Sequence, residues 1–229
     1  MRPITRRTFV TTTLGAALAS LSGLAGCGDP ASSAGSSDSL GASGTSTASS
    51  AGTGVVTTAS GPYSSGTHHA TIEVEGFGTI RLELDADVAP VTVANFAKLA
   101  GEGFYNGLTF HRIIAGFMVQ GGDPNGNGTG GSDESIVGEF DANGHPNSIS
   151  HVRGTISMAR AQAYNSASSQ FFIMQADTPG LDGQYAAFGR VTEGIEVVDA
   201  MCEAVRPTDN NGTIAAADQP RMTSVTIDD

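Results

Sequence analysis

LTFHRIIAGFMVQGGDP, residues 108–124, contains two strand-like runs, 108–113 and 117–120, rich in β-branched, aromatic and other apolar side chains. Upstream, Ala70, Ile72 and Val74 alternate with polar residues, Gly76-Phe77-Gly78 makes a turn, and Ile80, Leu82 and Leu84 alternate on the return, which predicts a hairpin. Downstream, further strand-like runs fall at 155–159, 170–175, 186–191 and 222–227. Two segments have helical period instead. Val93, Phe96, Ala97 and Ala100 share one face, with Pro90 near the first turn and Gly101 past the end. Ile195, Val198, Cys202 and Val205 share another, stopped by Pro207. Many short strands with Gly-rich turns and two helices predict a mainly β fold: a closed antiparallel eight-stranded β-barrel capped by two α-helices.

This globular part spans 67–229, enough chain for one sizeable core. What precedes it differs in kind. Residues 1–26 read as a signal peptide, with Arg2, Arg6 and Arg7 ahead of a mildly apolar run too weak for a permanent span. Thr5-Arg6-Arg7-Thr8-Phe9-Val10 resembles a twin-arginine export signal, and Leu24-Ala25-Gly26-Cys27 resembles a bacterial lipobox, which implies lipidation of Cys27. Of residues 28–66, 31 of 39 are Gly, Ser, Thr or Ala, a composition that cannot bury enough apolar surface to offset its ordering entropy. We therefore expect 27–66 to be a lipidated cysteine followed by a disordered linker, and the domain to sit outside the cytoplasm, anchored to a bacterial membrane through lipid alone.

Net charge is -12, which argues against a nucleic-acid partner, because phosphate binding needs a basic excess. The two cysteines cannot form a disulfide framework and fit no zinc spacing. The five histidines, His68, His69, His111, His145 and His151, show no metal-ligand spacing. His111 reads as a packed, hydrogen-bonded strand residue and Cys202 as a buried thiol. Residues 123–134 match a calcium-loop pattern on paper, but a strand-like run precedes them where an entering helix belongs, so a Gly/Asn surface loop is the better reading. No G-x-S-x-G elbow and no phosphate-binding Gly-Lys loop occurs. Neither a metal nor a cofactor is expected.

The 108–124 segment resembles the signature of the cyclophilins, the peptidyl-prolyl cis/trans isomerases. The resemblance continues, in family order, through Gly128-Thr129-Gly130-Gly131, Ser157-Met158-Ala159, Ser169-Gln170-Phe171-Phe172-Ile173, Leu181-Asp182-Gly183 and Phe188-Gly189-Arg190-Val191. It implies that Arg112 is the catalytic residue, that Phe117, Met118, Phe172 and Leu181 form a proline pocket, and that Gln120, Ala159, Gln170 and Tyr185 complete the substrate site. Read without the family, those apolar residues look like ordinary core. The implied partners are X-Pro-containing polypeptides. A module that holds proline segments without turnover is the alternative.

The implied chemistry is physically coherent. The barrier to peptide rotation, about 18–20 kcal/mol, is lost amide resonance. In the twisted state the proline nitrogen gains a usable lone pair, so a donor aimed at it binds the transition state better than either planar ground state. Arg112, permanently charged and many-handed, is such a donor. Three departures stand out: Gly180 where many eukaryotic members have Trp, Tyr185 where they have His, and Arg160 where they often have Asn. The Trp position is associated with tight cyclosporin binding, so weak cyclosporin affinity is expected.

Overall fold

A computed structural model of the protein describes residues 54–229. Residues 1–26 and Cys27, with the expectations attached to them, lie outside the described residues. Among the described residues there are ten strands: β1 Val55–Val56, β2 Thr67–Val74, β3 Gly78–Asp85, β4 Thr109–Ile114, β5 Met118–Asp123, β6 Ser135–Ile136, β7 Thr155–Met158, β8 Phe171–Met174, β9 Ala187–Glu193 and β10 Met222–Ile227. Two α-helices accompany them, α1 Pro90–Gly101 and α2 Ile195–Ala204.

Eight strands form one antiparallel sheet in the order β10-β2-β3-β9-β7-β8-β5-β4. The expected hairpin is β2–β3, in register from Thr67↔Asp85 to Val74↔Gly78. Its alternating residues Ala70, Ile72, Val74, Ile80, Leu82 and Leu84 are all buried, so period-2 patterning reported the inner face correctly.

The closed barrel is corrected to an open half-barrel. Its edge strands β4 and β10 meet only at an isolated bridge, Thr109↔Arg221, flanked by Phe110 N–H donating to the Pro220 carbonyl (2.9 Å) and Met222 N–H to that of Leu108 (2.8 Å). The reason is visible on β4. Farther along its outer edge it pairs with the irregular segment 212–214: Ile113 N–H donates to the Gly212 carbonyl (2.8 Å) and Ile214 N–H to that of His111 (2.9 Å). Those groups are therefore not available to a continuous seam with β10.

Aromatic rings fill the interior. Phe96 of α1 lies 5.2 Å from Tyr105, 5.6 Å from Phe171 and 5.4 Å from Phe188, ring centre to ring centre. Side chains thus occupy the space that the sheet encloses.

Both helices fall where the periodicity predicts, but α1 stops differently. Gly101 is its last helical residue, and the terminator is Gly103, at φ +70°. Gly103 N–H donates to the Ala100 carbonyl and Phe104 N–H to that of Leu99, each at 2.9 Å, a Schellman closure that needs a left-handed residue. The other end of α1 has no side-chain cap of its own. Instead the buried carboxylate of Glu139 accepts Val91 N–H (3.0 Å), Thr92 N–H (2.8 Å) and the Thr92 hydroxyl (2.7 Å). An anion there satisfies orphan donors and complements the helix dipole.

The linker expectation is corrected at its C-terminal end. β1 pairs in parallel with β6, Val137 N–H donates to the Val56 carbonyl (2.9 Å), and Val56, Ala59 and Tyr63 pack against the main core. The Tyr63 hydroxyl also reaches the Asp229 carbonyl (3.2 Å). Val55, Val56 and Tyr63 are among the few linker residues with side chains large enough to make such contacts. The average over 39 residues concealed them.

Candidate active site

Strand alternation divides the apolar residues into two groups. On β8, Phe171 and Ile173 face the main core, whereas Phe172 and Met174 join a separate cluster with Met118. Ile114, Phe117, Ala159, Leu181 and Tyr185 pack against that second cluster. It lies on the sheet face opposite the core, so these side chains are not the ordinary core that composition alone suggests.

The ladder sets polar groups beside it. Cα partners Arg112↔Gln120, Gln120↔Phe172 and Phe172↔Ser157 place four side chains in one row across β4, β5, β8 and β7. Arg112 Nε donates to the Asn211 carbonyl (2.7 Å) and Nη1 to Gln120 Oε1 (3.1 Å). Gln120 Nε2 then donates to Gln170 Oε1 (2.9 Å), and Gln170 Nε2 to the Gly130 carbonyl (2.7 Å). Arg112 is thus held at two of its three nitrogens, and Nη2 has no hydrogen-bond partner among the described residues. Partial burial lowers the guanidinium pKa, opposed by Tyr185 and Asp209, yet Arg remains a cation throughout the physiological range.

A concavity of about 200 Å³ is lined by Arg112, Phe117, Met118, Gln120, Ala159, Arg160, Phe172, Leu181 and Tyr185. Seven of the eight residues named for substrate contact therefore converge with Arg112. The eighth, Gln170, stands one hydrogen bond further out. It lines an adjoining concavity of about 340 Å³, together with Thr129, Ser132, Ser166 and Ser168, which shares Gln120, Ala159 and Arg160 with the first. The pair makes a continuous groove: an apolar slot at one end, small polar residues at the other, a fixed guanidinium between apolar wall and solvent.

Sequence reasoning missed the supports. Asp182 Oδ1 accepts from His151 Nδ1 (2.9 Å), and His151 Nε2 lies 3.0 Å from Ser157 Oγ. Asp, His and Ser in series resemble a nucleophilic relay, but Ser157 is fully buried and cannot meet a substrate. The relay instead braces the slot: the His151 ring stacks on Phe172 at 6.0 Å, and Asp182 adjoins Leu181. Nothing in local spacing joins residues 151, 157 and 182. The Asn211 carbonyl was missed too, although Asp209-Asn210-Asn211-Gly212 is a recognisable turn signal.

The remaining polar residues resolve in the same way. His111 is buried as expected, but neither ring nitrogen has a hydrogen-bond partner among the described residues, which corrects the hydrogen-bonded reading. Cys202 is a buried free thiol whose pKa burial pushes up to about 11. Asp123, first residue of the calcium-like pattern, holds its own loop by accepting the N–H groups of Asn125 (2.8 Å), Asn127 (3.0 Å) and Gly128. Its carboxylate, on a buried residue, is engaged within its own loop.

Burial holds both His111 and His151 below the usual imidazole pKa, against the opposing pull of Asp123 and Asp182 respectively. Unfolded, each protonates near 6.5, so below that pH the unfolded chain binds protons that the folded one refuses. Stability is then full above about pH 6.5 and declines as pH falls. The urea midpoint at pH 5.5 is expected below that at pH 7.5. Equal midpoints would show that the folded protein protonates both rings freely.

A model of the cyclophilin type peptidyl-prolyl cis-trans isomerase family matches residues 69–227. The chain belongs to that family. A Helicobacter pylori peptidyl-prolyl cis-trans isomerase is 50% identical over 137 residues, covering 59% of this chain and 80% of that protein. The Bacillus subtilis peptidyl-prolyl cis-trans isomerase B is 48% identical over 128 residues, covering 56% and 86%. Among solved structures, a Cryptosporidium parvum cyclophilin type isomerase superposes with TM-score 0.63 at 28% identity, covering 72% of this chain and 99% of that one. A structure of that cyclophilin in the presence of the dipeptide Ala-Pro superposes with TM-score 0.62. This cyclophilin is a peptidyl-prolyl cis-trans isomerase. Its strap at 55–66 lies outside the matched range.

Proposed function

We propose that this cyclophilin isomerises X-Pro bonds of exported proteins from a lipid anchor outside a bacterial cytoplasmic membrane, with Arg112 assisting the twist. One observation carries the catalytic part: a guanidinium fixed at Nε and Nη1, with Nη2 unengaged among the described residues, on the rim of an apolar slot. A proline ring seated against Phe117, Met118, Phe172 and Leu181 brings its imide nitrogen toward that fork. The planar amide nitrogen is a poor acceptor, and the twisted one is a good acceptor. The interaction is therefore stronger in the transition state, and no covalent step or proton transfer is needed.

The adjoining concavity continues the groove with small polar side chains, which suits an extended segment of varied sequence better than one particular residue. The relative studied with Ala-Pro supports proline-containing segments as substrates. Gly180 offers no indole on the rim of the slot, so cyclosporin binds weakly in this reading.

Anchoring rests on the lipobox-like Leu24-Ala25-Gly26-Cys27 and the basic, apolar segment before it. Among the described residues, no helix is long and apolar enough to cross a membrane. Exported chains waiting on proline isomerisation, which takes tens of seconds unaided, are the substrates such a placement serves. The expected result is a mature protein that begins at an acylated Cys27 by mass spectrometry, with Cys27→Ala released from the membrane fraction. An unmodified Cys27, or a Cys27→Ala variant that stays membrane-bound, would contradict the anchor.

A further inference from the structure

Arg160 is the one residue shared by both concavities whose charge nothing above has used. Its guanidinium carbon lies 4.7 Å from the ring centre of Tyr185, 5.1 Å from Phe140 and 5.2 Å from Tyr164. Nε and Nη2 both donate to the Gln184 carbonyl, at 3.1 and 2.9 Å. Nη1 donates to the carbonyls of Ala161 (3.0 Å) and Gln162 (3.3 Å). Its recorded partners are thus rings and backbone carbonyls rather than a carboxylate. A planar cation suits both, since its faces meet rings while its edge forks onto a carbonyl.

We infer that Arg160 is a positioning residue for the isomerase reaction, clamping Tyr185 as a wall of the proline slot. Tyr185 stands edge-on to Phe172, ring centres 5.8 Å apart, so its placement fixes the slot's width. Arg160 grips it twice, through the ring itself and through the carbonyl of the preceding residue, Gln184. The same guanidinium also holds the carbonyls of Ala161, which lines the adjoining concavity, and of Gln162. It makes no hydrogen bond to Arg112, Gln120 or Gln170, which form a separate chain of donors. Arg160 therefore acts on substrate fit and not on the twisting step.

This inference rests on the slot being the proline site, and the test separates the two. Steady-state isomerisation of an Ala-Pro tetrapeptide is measured for the full chain, for Arg160→Ala, Arg160→Lys, Tyr185→Leu and the Arg160→Ala/Tyr185→Leu double variant, and for Arg112→Ala. Arg160→Ala is expected to raise KM about tenfold with kcat within about twofold, the scale of a partly desolvated cation–π clamp. Arg160→Lys, which keeps the charge over the rings but loses the fork, is expected to lie between. The double variant is expected to fall well short of the product of the two single effects, because Arg160 acts mainly through Tyr185. An unchanged KM in Arg160→Ala overturns the inference, as do KM increases that multiply in the double variant. A lower melting temperature with KM unchanged also overturns it, since that marks a merely structural clamp. Failure of the catalytic reading appears elsewhere, as an Arg112→Ala variant with wild-type kcat.

Discussion

Replacing Arg112 with alanine is expected to lower kcat/KM for an X-Pro peptide by about 10²–10³, the scale for removing one preorganised donor aimed at developing charge. The loss should fall on kcat. The slot walls Phe117, Met118, Phe172 and Leu181 are untouched, so a proline ring still seats. What disappears is the contact that strengthens as the imide nitrogen gains its lone pair. Arg112→Lys should recover only part of the rate. An ammonium keeps the charge, but it cannot satisfy the Asn211 carbonyl and Gln120 together while presenting a third donor, as the planar fork does. Folding should be little affected, because Arg112 is only partly buried and makes none of the main core's contacts. A protease-coupled proline-peptide assay reads the rates, and circular dichroism checks the fold.

The largest effect on stability is expected far from the slot, at Glu139. Its carboxylate accepts two backbone N–H groups and one hydroxyl at the start of α1, all of them buried. Glu139→Ala strands three donors, and at roughly 1–3 kcal/mol for each unsatisfied buried group the expected loss is about 3–5 kcal/mol after partial relaxation. At roughly 2–4 °C per kcal/mol for a domain of this size, the melting temperature should fall by about 6–20 °C. Glu139→Gln keeps an acceptor but loses the charge facing the helix dipole, so it should fall between. A shift of less than about 2 °C in Glu139→Ala, by calorimetry, would mean that water replaces the carboxylate without penalty.

What could be read from sequence, and what could not, follows the range of the interaction. Period-2 alternation in 70–84 is a local property, and it located the inner face of β2 and β3. Pro90 located the start of α1, whereas its end went to Gly103, because the left-handed terminator need not be the first glycine after the apolar face. Closure of the sheet depends on which segment reaches the outer edge of β4. Residues 212–214 have no strand pattern, so their claim on that edge was invisible. The strap at 55–66 was hidden by composition averaged over a longer, polar stretch. At the site, the family resemblance collected the residues that touch the slot, but not those that hold them. His151, Ser157 and Asp182 come from three separate segments, and Arg160 showed only as a departure from the family's usual residue. Its three-ring environment depends on Phe140, Tyr164 and Tyr185 converging in space.

The most direct measurement of the central claim is exchange NMR on an Ala-Pro peptide, recorded with wild type and with Arg112→Ala at equal occupancy. Differential donation predicts that both proteins bind the peptide with affinities within a few-fold of one another, and that cis/trans exchange of the bound peptide is fast on wild type and slowed by about two orders of magnitude or more on the variant. Equal exchange rates on the two proteins would contradict it, because the slot alone would then be twisting the bond.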